Sequence, residues 1–325
     1  MKFRICMMGL AGLLACATGA VAVTYYIDDN SNVGDVYTPG FTGNDSNDGL
    51  TPSTPKLTLN NLLASTNLLP GDVVLIDTGM YPVTNTITLG TSLAGVAGSP
   101  ILFKGSTNLA TDGTTFTSST SVAIFDVRGS HLHFQKIRTW GGGNGFLLTG
   151  ARNCEFDEVQ ALYAGQAIRL LNGASSNSFR RCVMHAVTYS ATGGDAPGSG
   201  NYMENCVAWS TVSAAFAPHA ALYSNFVNNI GFGVYALGSA GYGPPIGSQN
   251  VFWYSGSFSP SYETLSDYAR VNTNFVGNTV ADPKFANAAD FDFHLLSAAG
   301  YVSNGVWVTN PAVGYSPGID FGARE

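Results

Sequence analysis

The sequence predicts an all-β fold, a right-handed parallel β-helix in which three-sided coils of about 23 residues stack into a solenoid. The chain of 325 residues is 45% hydrophobic but only 11% charged, which is typical of many short strands and turns. A short motif of one aromatic, two polar and one apolar residue recurs between residues 131 and 254. Its apolar positions alternate with a period of two, which argues against helical repeats of similar length.

The first 22 residues have the features of a secretory signal peptide. Lys2 and Arg4 precede an apolar run, and the small residues 20–22 predict cleavage after Ala22. A second interpretation is a lipoprotein signal that leaves a lipid on Cys16. No later stretch is apolar enough over about twenty residues to span a membrane. We therefore expect an exported protein, secreted or at the cell surface.

Residues 23–325 are expected to form one β-helix domain in three parts. Residues 23–72 are a lead-in and cap, with a short helix after Thr54-Pro55 that covers the open apolar end of the solenoid. Residues 73–254 are the coils, and they begin with the strand Val73–Ile76. Residues 255–325 are the last coils and a closing segment.

The repeats can be aligned on one anchor residue in each coil. The anchors are expected at positions 134, 156, 179, 203, 223 and 248. Because parallel coils stack in register, residues at equal offsets from the anchors should be neighbours. This alignment predicts three columns: alternating charges at Lys136, Glu158 and Arg181, free thiols in the core at Cys182 and Cys206, and an asparagine stack at Asn205, Asn225 and Asn250.

The net charge makes binding to nucleic acid unexpected. The whole chain carries a formal charge of −7, and removal of Lys2 and Arg4 with the signal peptide leaves about −9. A strongly acidic protein repels the phosphate backbone.

Phrases at both ends of the chain resemble those of secreted, pectate-lyase-like parallel β-helix proteins. They are residues 25–28, 43–52, 69–73 and 79–81 near the N-terminus, and residues 282–285, 292–295 and 316–322 near the C-terminus. The resemblance spans most of the mature chain and implies the fold. The group mixes polysaccharide lyases, hydrolases and proteins of unknown role. Its chains often continue past the last phrase, so a further downstream segment is one hypothesis.

The resemblance implies that a lyase of this fold would use a Lys or Arg base and a cation such as Ca²⁺ that neutralises a uronate carboxylate. Asp45 and Asp48 lie in an Asx-rich loop that is a candidate Ca²⁺ site. The alternative is a plain Asx turn, because Pro55 stands where a bidentate acid is expected. The phrases that hydrolases of this fold share do not occur here, so a glycoside hydrolase ranks below a lyase.

The alternation after each anchor predicts an outward column that carries candidate functional side chains. Arg138 and His185 are the candidates for a catalytic base, and Trp140 and Trp209 for a platform on which sugar rings stack. Two long insertions, residues 188–200 and 210–220, are expected to wall this face. Further candidates for substrate binding lie on the column and its walls: Gln160, Asn229, Tyr189, Asp195 and His219. The alternative is that the rings only pack beneath those loops.

These observations predict a monomeric extracellular protein that binds an anionic polysaccharide, with eliminative cleavage of a uronate polymer as a further hypothesis. The rival function is that of a noncatalytic surface, adhesive or structural β-helix.

Overall fold

A computed structural model describes most of the chain up to residue 216 and shorter segments beyond it. The described ranges are 21–108, 113–195, 198–216, 225–227, 229–237, 247–248, 250–256, 259, 263–271, 275–280, 285–287, 292–295, 301–303 and 306–308. Nearly all of the predicted signal peptide lies outside them. No helix of the described part is long and apolar enough to cross a membrane.

The described part contains short strands and two helices. The strands up to residue 171 are β1 (Thr24–Ile27), β2 (Val73–Ile76), β3 (Gly79–Pro82), β4 (Ile87–Leu89), β5 (Ile101–Gly105), β6 (Thr114–Ser118), β7 (Ala123–Val127), β8 (Leu132–Gln135), β9 (Ile137–Gly141), β10 (Asn144–Thr149), β11 (Glu155–Asp157), β12 (Gln160–Ala164) and β13 (Gln166–Leu171). The later strands are β14 (Ser178–Arg180), β15 (Val183–Ala186), β16 (Thr192–Asp195), β17 (Tyr202–Glu204), β18 (Val207–Phe216), β19 (Asn225–Val227), β20 (Ile230–Leu237), β21 (Gly247–Ser248), β22 (Val251–Tyr254), β23 (Phe275–Val276), β24 (Thr279–Val280), β25 (Phe285–Asn287), β26 (Asp292–Leu295), β27 (Tyr301–Ser303) and β28 (Val306–Val308). The helices are α1 (Leu59–Ser65) and α2 (Leu265–Val271).

The strands stack in parallel on three sides, as predicted. Side 1 has the order β1-β2-β5-β8-β11-β14-β17-β19-β21-β23. Side 2 contains β3, β6, β9, β12, β15, the first part of β18, β20, β22 and β24. Side 3 contains β4, β7, β10, β13, β16 and the last part of β18. The long strand β18 therefore runs from side 2 onto side 3, and the parallel β-helix fold is confirmed.

The register on side 1 confirms four of the predicted anchors. Phe156 pairs with Phe134 and with Phe179, and Phe179 pairs with Met203. The next two anchors are wrong, because Met203 pairs with Phe226 and not with Tyr223, and Phe226 pairs with Gly247. The error arises because Tyr223 is also aromatic and lies three residues before the true anchor.

The core is built from stacked aromatic rings inside the coils. On side 1 the ring centroids of Phe134 and Phe156 are 4.9 Å apart, and those of Phe156 and Phe179 are 4.8 Å apart. On side 3, Phe125 and Phe146 stack at 4.9 Å. These rings are fully buried, so their burial and mutual stacking stabilise the coils.

A single residue with a left-handed backbone makes each tight corner between sides 1 and 2. Lys136, Glu158, Arg181 and Asn205 hold this position, with φ between 52° and 59°. The predicted charge ladder is confirmed, because Glu158 forms an ion pair with Lys136 at 2.6 Å and accepts a hydrogen bond from Arg181 at 3.1 Å. Pairing of opposite charges at this corner stabilises the stacking of successive coils.

A column of inward polar side chains follows the corner. Cys182 and Cys206 are free and buried, as predicted, and the Cys182 N–H donates to the Cys206 Sγ at 3.4 Å. The column continues with asparagines, since Asn229 Nδ2 donates to Asn250 Oδ1 at 3.1 Å and Asn250 Nδ2 to Asn278 Oδ1 at 2.8 Å. The predicted stack of Asn205, Asn225 and Asn250 is therefore wrong, because it follows from the misplaced anchors.

The two ends of the solenoid differ from the coils. Helix α1 packs Leu59 and Leu62 into the core, and its N-cap Thr58 accepts from the Asn61 N–H at 3.2 Å. The first strand is β1, which pairs in parallel with β2, so side 1 begins before the predicted residue 73. Parallel pairing continues to β24, and then β25–β26 and β27–β28 pair antiparallel.

Candidate functional site

Side 2 carries a continuous stack of rings on its outward face. We call Trp140, Tyr163, His185, Trp209 and Phe232 the ring ladder. Successive ring centroids are 4.4, 4.8, 4.4 and 4.9 Å apart. The exposed fraction is 40% for Trp140 and 39% for Tyr163 but only 2% for His185 and 8% for Phe232. The ladder therefore has an open end at Trp140 and a covered end at Phe232.

A β-bulge brings Tyr163 into the ladder. The register between β12 and β15 shifts between Ala161 and Ala164, and Tyr163 adopts a left-handed backbone with φ of 52°. A bulky residue rarely adopts this conformation, and such strain concentrates at functional sites. Leu162, at the regular outward position, is buried instead. Period-two reasoning could not find Tyr163, because a bulge breaks the period.

His185 lies in the ladder but is not an exposed base. Its ring stacks on Trp209, and Tyr163 contacts it edge-on. Burial lowers the pKa of His185 from 6.5 to about 4 because the charged form loses its hydration. The predicted position in register with Trp209 is confirmed. The accessibility that a catalytic base requires is not confirmed, because the neighbouring rings cover the imidazole.

Arg138 lies beside the open end of the ladder. Its Nε donates to Gln160 Oε1 at 2.6 Å, and Gln160 is buried, so the amide positions the guanidinium rather than facing a ligand. The strands β3, β6, β9, β12, β15, β18, β20, β22 and β24 contain no acidic residue, and Arg138 is the one charged residue in their sequences. The outward face of side 2 thus combines exposed rings with a cation.

A cavity of about 320 Å³ lies at the covered end of the ladder. Trp209 and Phe232 form its apolar wall, and Ser210, Thr211 and Ser255 contribute hydroxyl groups. This volume is at the lower end of the range for small-molecule pockets.

The remaining predicted binding residues are not all near the ladder. Tyr189 is 61% exposed, and its carbonyl accepts from Ser210 Oγ at 2.8 Å, next to Trp209. Asp195 was wrongly assigned to a wall, because residues 192–195 form strand β16 on side 3, where Asp195 pairs with Arg169 at 2.7 Å. Likewise, residues 210–216 belong to β18 rather than to a loop.

The other two candidates for substrate binding are Asn229 and His219. Asn229 was also placed wrongly, because the true anchor Phe226 moves it to the inward column, where it is fully buried. His219 lies outside the described residues.

The Asx-rich loop does not form the predicted Ca²⁺ site. Asp45 accepts from the N–H groups of Leu57 and Thr58 and from the Thr58 hydroxyl, at 2.9–3.1 Å. Asp48 accepts from the Leu50 N–H and the Thr54 hydroxyl. The Lys56 ammonium donates to the carbonyls of Asp45 and Asn47, where a cation would have to bind. The loop is the alternative Asx turn, closed by a lysine.

The ring ladder does not fit a catalytic metal centre. No group of three His, Cys, Asp or Glu side chains in the described part is placed to hold a metal ion, and the strands of side 2 contribute no carboxylate. Among the described strands of this face, the charged side chain is Arg138.

The fold is similar to that of two polysaccharide lyases of known structure. The pectate lyase Pel9A superimposes with a TM-score of 0.55 at 19% identity, over 73% of this chain and 65% of that chain. A rhamnogalacturonan lyase superimposes with a TM-score of 0.52 at 20% identity, over 73% of this chain and 69% of that chain. The chain thus spans slightly less than two thirds of the pectate lyase.

No family model matches the sequence, and no curated protein matches it. The three-sided parallel stack and the likeness to these two structures agree on architecture. The chain has the parallel β-helix fold that both of these structures share.

Proposed function

We propose that side 2 binds an extracellular acidic polysaccharide along the open end of the ring ladder. Trp140 and Tyr163 offer aromatic faces on which pyranose rings stack, and the Arg138 guanidinium pairs with a uronate carboxylate. One observation carries the proposal: two strongly exposed, adjacent rings lie beside the one charged residue of an otherwise uncharged set of strands. The fold of the two lyases supports a polysaccharide as the ligand.

Eliminative cleavage is the second candidate function. In such a reaction a base removes the proton beside the uronate carboxylate, the electron pair forms a carbon–carbon double bond, and the glycosidic oxygen leaves with a proton. A charged Arg138 beside the carboxylate would stabilise the negative charge that develops there. His185 is neutral at neutral pH but covered, so the arrangement supports binding more strongly than catalysis.

The test incubates the mature protein with pectate, alginate or a glycosaminoglycan, with and without Ca²⁺. Binding is followed by calorimetry, and cleavage by the ultraviolet absorbance of the unsaturated uronate product. Binding that is lost in Trp140→Ala supports the proposal, and an absorbance rise that is lost in Arg138→Gln adds the lyase activity. Absence of binding to every acidic polymer would overturn the proposal and favour a structural solenoid. Export and the monomeric state stay predictions.

A further inference from the structure

Four aspartates at the N-terminal end of the solenoid lie close enough for their charges to influence one another, away from the ring ladder. Asp28 and Asp29 follow β1, Asp77 follows β2, and Asp35 lies in the loop between β1 and α1. We call these four residues the acidic pocket. The charges that act on Asp28 come from the other three, and no basic group is among them. The pocket therefore concentrates negative charge.

Two of the four carboxylates hold the surrounding loop. Asp77 accepts from the backbone N–H groups of Val36, Tyr37 and Thr38 at 2.6–2.8 Å, and from the Thr38 hydroxyl at 2.9 Å. Asp29 accepts from the N–H groups of Ser31 and Met80 at 2.7 and 2.9 Å. These bonds fix the loop and bring Asp35 towards Asp28.

The other two carboxylates have no donor. Asp28 is fully buried, and neither of its oxygens has a hydrogen-bond partner. Both oxygens of Asp35 are likewise buried and without a partner. The Thr38 hydroxyl lies near Asp28 and lowers its pKa slightly against the larger effect of burial, but its one proton is donated to Asp77 at 2.9 Å. A buried carboxylate without a donor or counter-charge is strongly unfavourable, so these two groups should take up either a proton or a cation.

The charge balance indicates what kind of ligand fits the site. Burial, then the charges of Asp35, Asp77 and Asp29, raise the pKa of Asp28 to about 8, and burial with Asp77 and Asp29 raises that of Asp35 to about 6. The site thus favours any cation that can replace the missing hydration. Ca²⁺ accepts six to eight oxygen ligands in flexible geometry and takes carboxylates in bidentate fashion.

We propose that Asp28 and Asp35 bind one Ca²⁺ ion, which fastens the loop between β1 and α1 to the end of the solenoid. Asp29 and Asp77 are engaged by the backbone, so the protein donates two carboxylates and water completes the coordination. No group of three His, Cys, Asp or Glu side chains in the described part is placed to hold a metal ion, so water would supply most of the ligands of such an ion. With only two carboxylates, the affinity should match that of extracellular modules, with dissociation constants of about 0.1–1 mM.

The test titrates the mature, chelator-treated protein with CaCl₂ up to about 10 mM, above the weakest dissociation constants of extracellular sites. Calorimetry should give one site, and Tm should rise with Ca²⁺. Tb³⁺, used as a Ca²⁺ analogue, should emit when tyrosine is excited, because the Tyr37 backbone contacts Asp77 and the Asp28 charge acts on Tyr81.

Asp28→Asn and Asp35→Asn should abolish the calorimetric signal, the Tm response and the Tb³⁺ emission. Each variant should also raise Tm without Ca²⁺, because it removes an unpaired buried charge, so loss of folding does not explain a negative result. Asp48→Asn, in the exposed Asx turn, is the matched control and should respond like the wild type. A wild type that is stabilised by acid but binds neither Ca²⁺ nor Tb³⁺ would overturn the proposal, as would variants that retain the response.

Discussion

Sides 2 and 3 are built from the same kind of short parallel strand, but their outward faces carry different kinds of side chain. On side 3, charged residues neutralise one another: Arg169 pairs with Asp195 at 2.7 Å, and Arg128 with Asp126 at 2.6 Å. On side 2 the strands offer five stacked rings and Arg138, with no acidic residue. The charged groups of side 3 are thus paired within the protein, whereas the rings and the cation of side 2 are the features on which the proposed binding of an acidic polysaccharide rests.

The largest expected effect concerns the covered half of the ladder. His185 has a folded pKa of about 4, against 6.5 ordinarily, so the unfolded chain binds a proton that the folded chain does not as the pH falls. The contribution of His185 to the free energy of unfolding should be intact above pH 6.5 and lost on acidification towards pH 4, by up to about 3 kcal/mol, whereas the raised pKa values of Asp28 and Asp35 act in the opposite direction in both proteins. His185→Phe keeps a stacked ring and should lose less. Denaturant unfolding at about pH 7 and pH 4 measures both proteins, and equal losses would show that the imidazole is not buried as described.

A smaller effect is expected from a matched pair of arginine variants. Arg138→Gln should weaken binding to an acidic polymer about tenfold, or 1.4 kcal/mol, and reduce the salt dependence of binding. Arg169→Gln removes the same charge from side 3, where Asp195 already pairs with it, and should leave the affinity unchanged. Calorimetry at low and high salt compares them. Equal effects of the two variants would mean that net charge, not side 2, controls binding.

The smallest effect on stability is expected at the bulge. Tyr163→Gly removes the strain of a left-handed backbone in a bulky residue, which should stabilise the fold by about 1–2 kcal/mol. It also removes ring contacts of about 1 kcal/mol and increases the conformational entropy of the unfolded chain, and both of these effects destabilise the fold. These terms nearly cancel, so the free energy of unfolding should change by less than about 1 kcal/mol while binding to the polymer weakens. Tyr163→Phe should preserve binding. If Tyr163→Gly binds normally, the bulge serves the backbone and not a ligand.

Much of the fold could be predicted from the sequence because the coil repeat is regular. Period two and the Phe134, Phe156 and Phe179 anchors were enough to place Trp140, His185 and Trp209 on one side. The predictions that failed concern places where the chain departs from the repeat. The bulge hid Tyr163, and a chance aromatic residue three positions early moved Asn229 from the inside to the outside.

The other features that the sequence did not predict lie in segments whose sequence has no periodic pattern. Glycine-rich strand β16 has the composition of a loop, so Asp195 was assigned to a wall. The loop that carries Asp35 is held by Asp77, more than forty residues away, through the backbone N–H groups of the loop. Such a site depends on tertiary contacts and could not be found from spacing.

The most direct test of the account is the affinity of Trp140→Ala/Tyr163→Ala for an acidic polysaccharide that the wild type binds. The control is Leu147→Ala, which removes a partly exposed apolar side chain from side 3. The account predicts that the double variant binds about 100-fold more weakly, or 2.7 kcal/mol, with the fold intact by circular dichroism, while the control binds like the wild type. Unchanged affinity in the double variant would contradict the assignment of the ring ladder as the binding face.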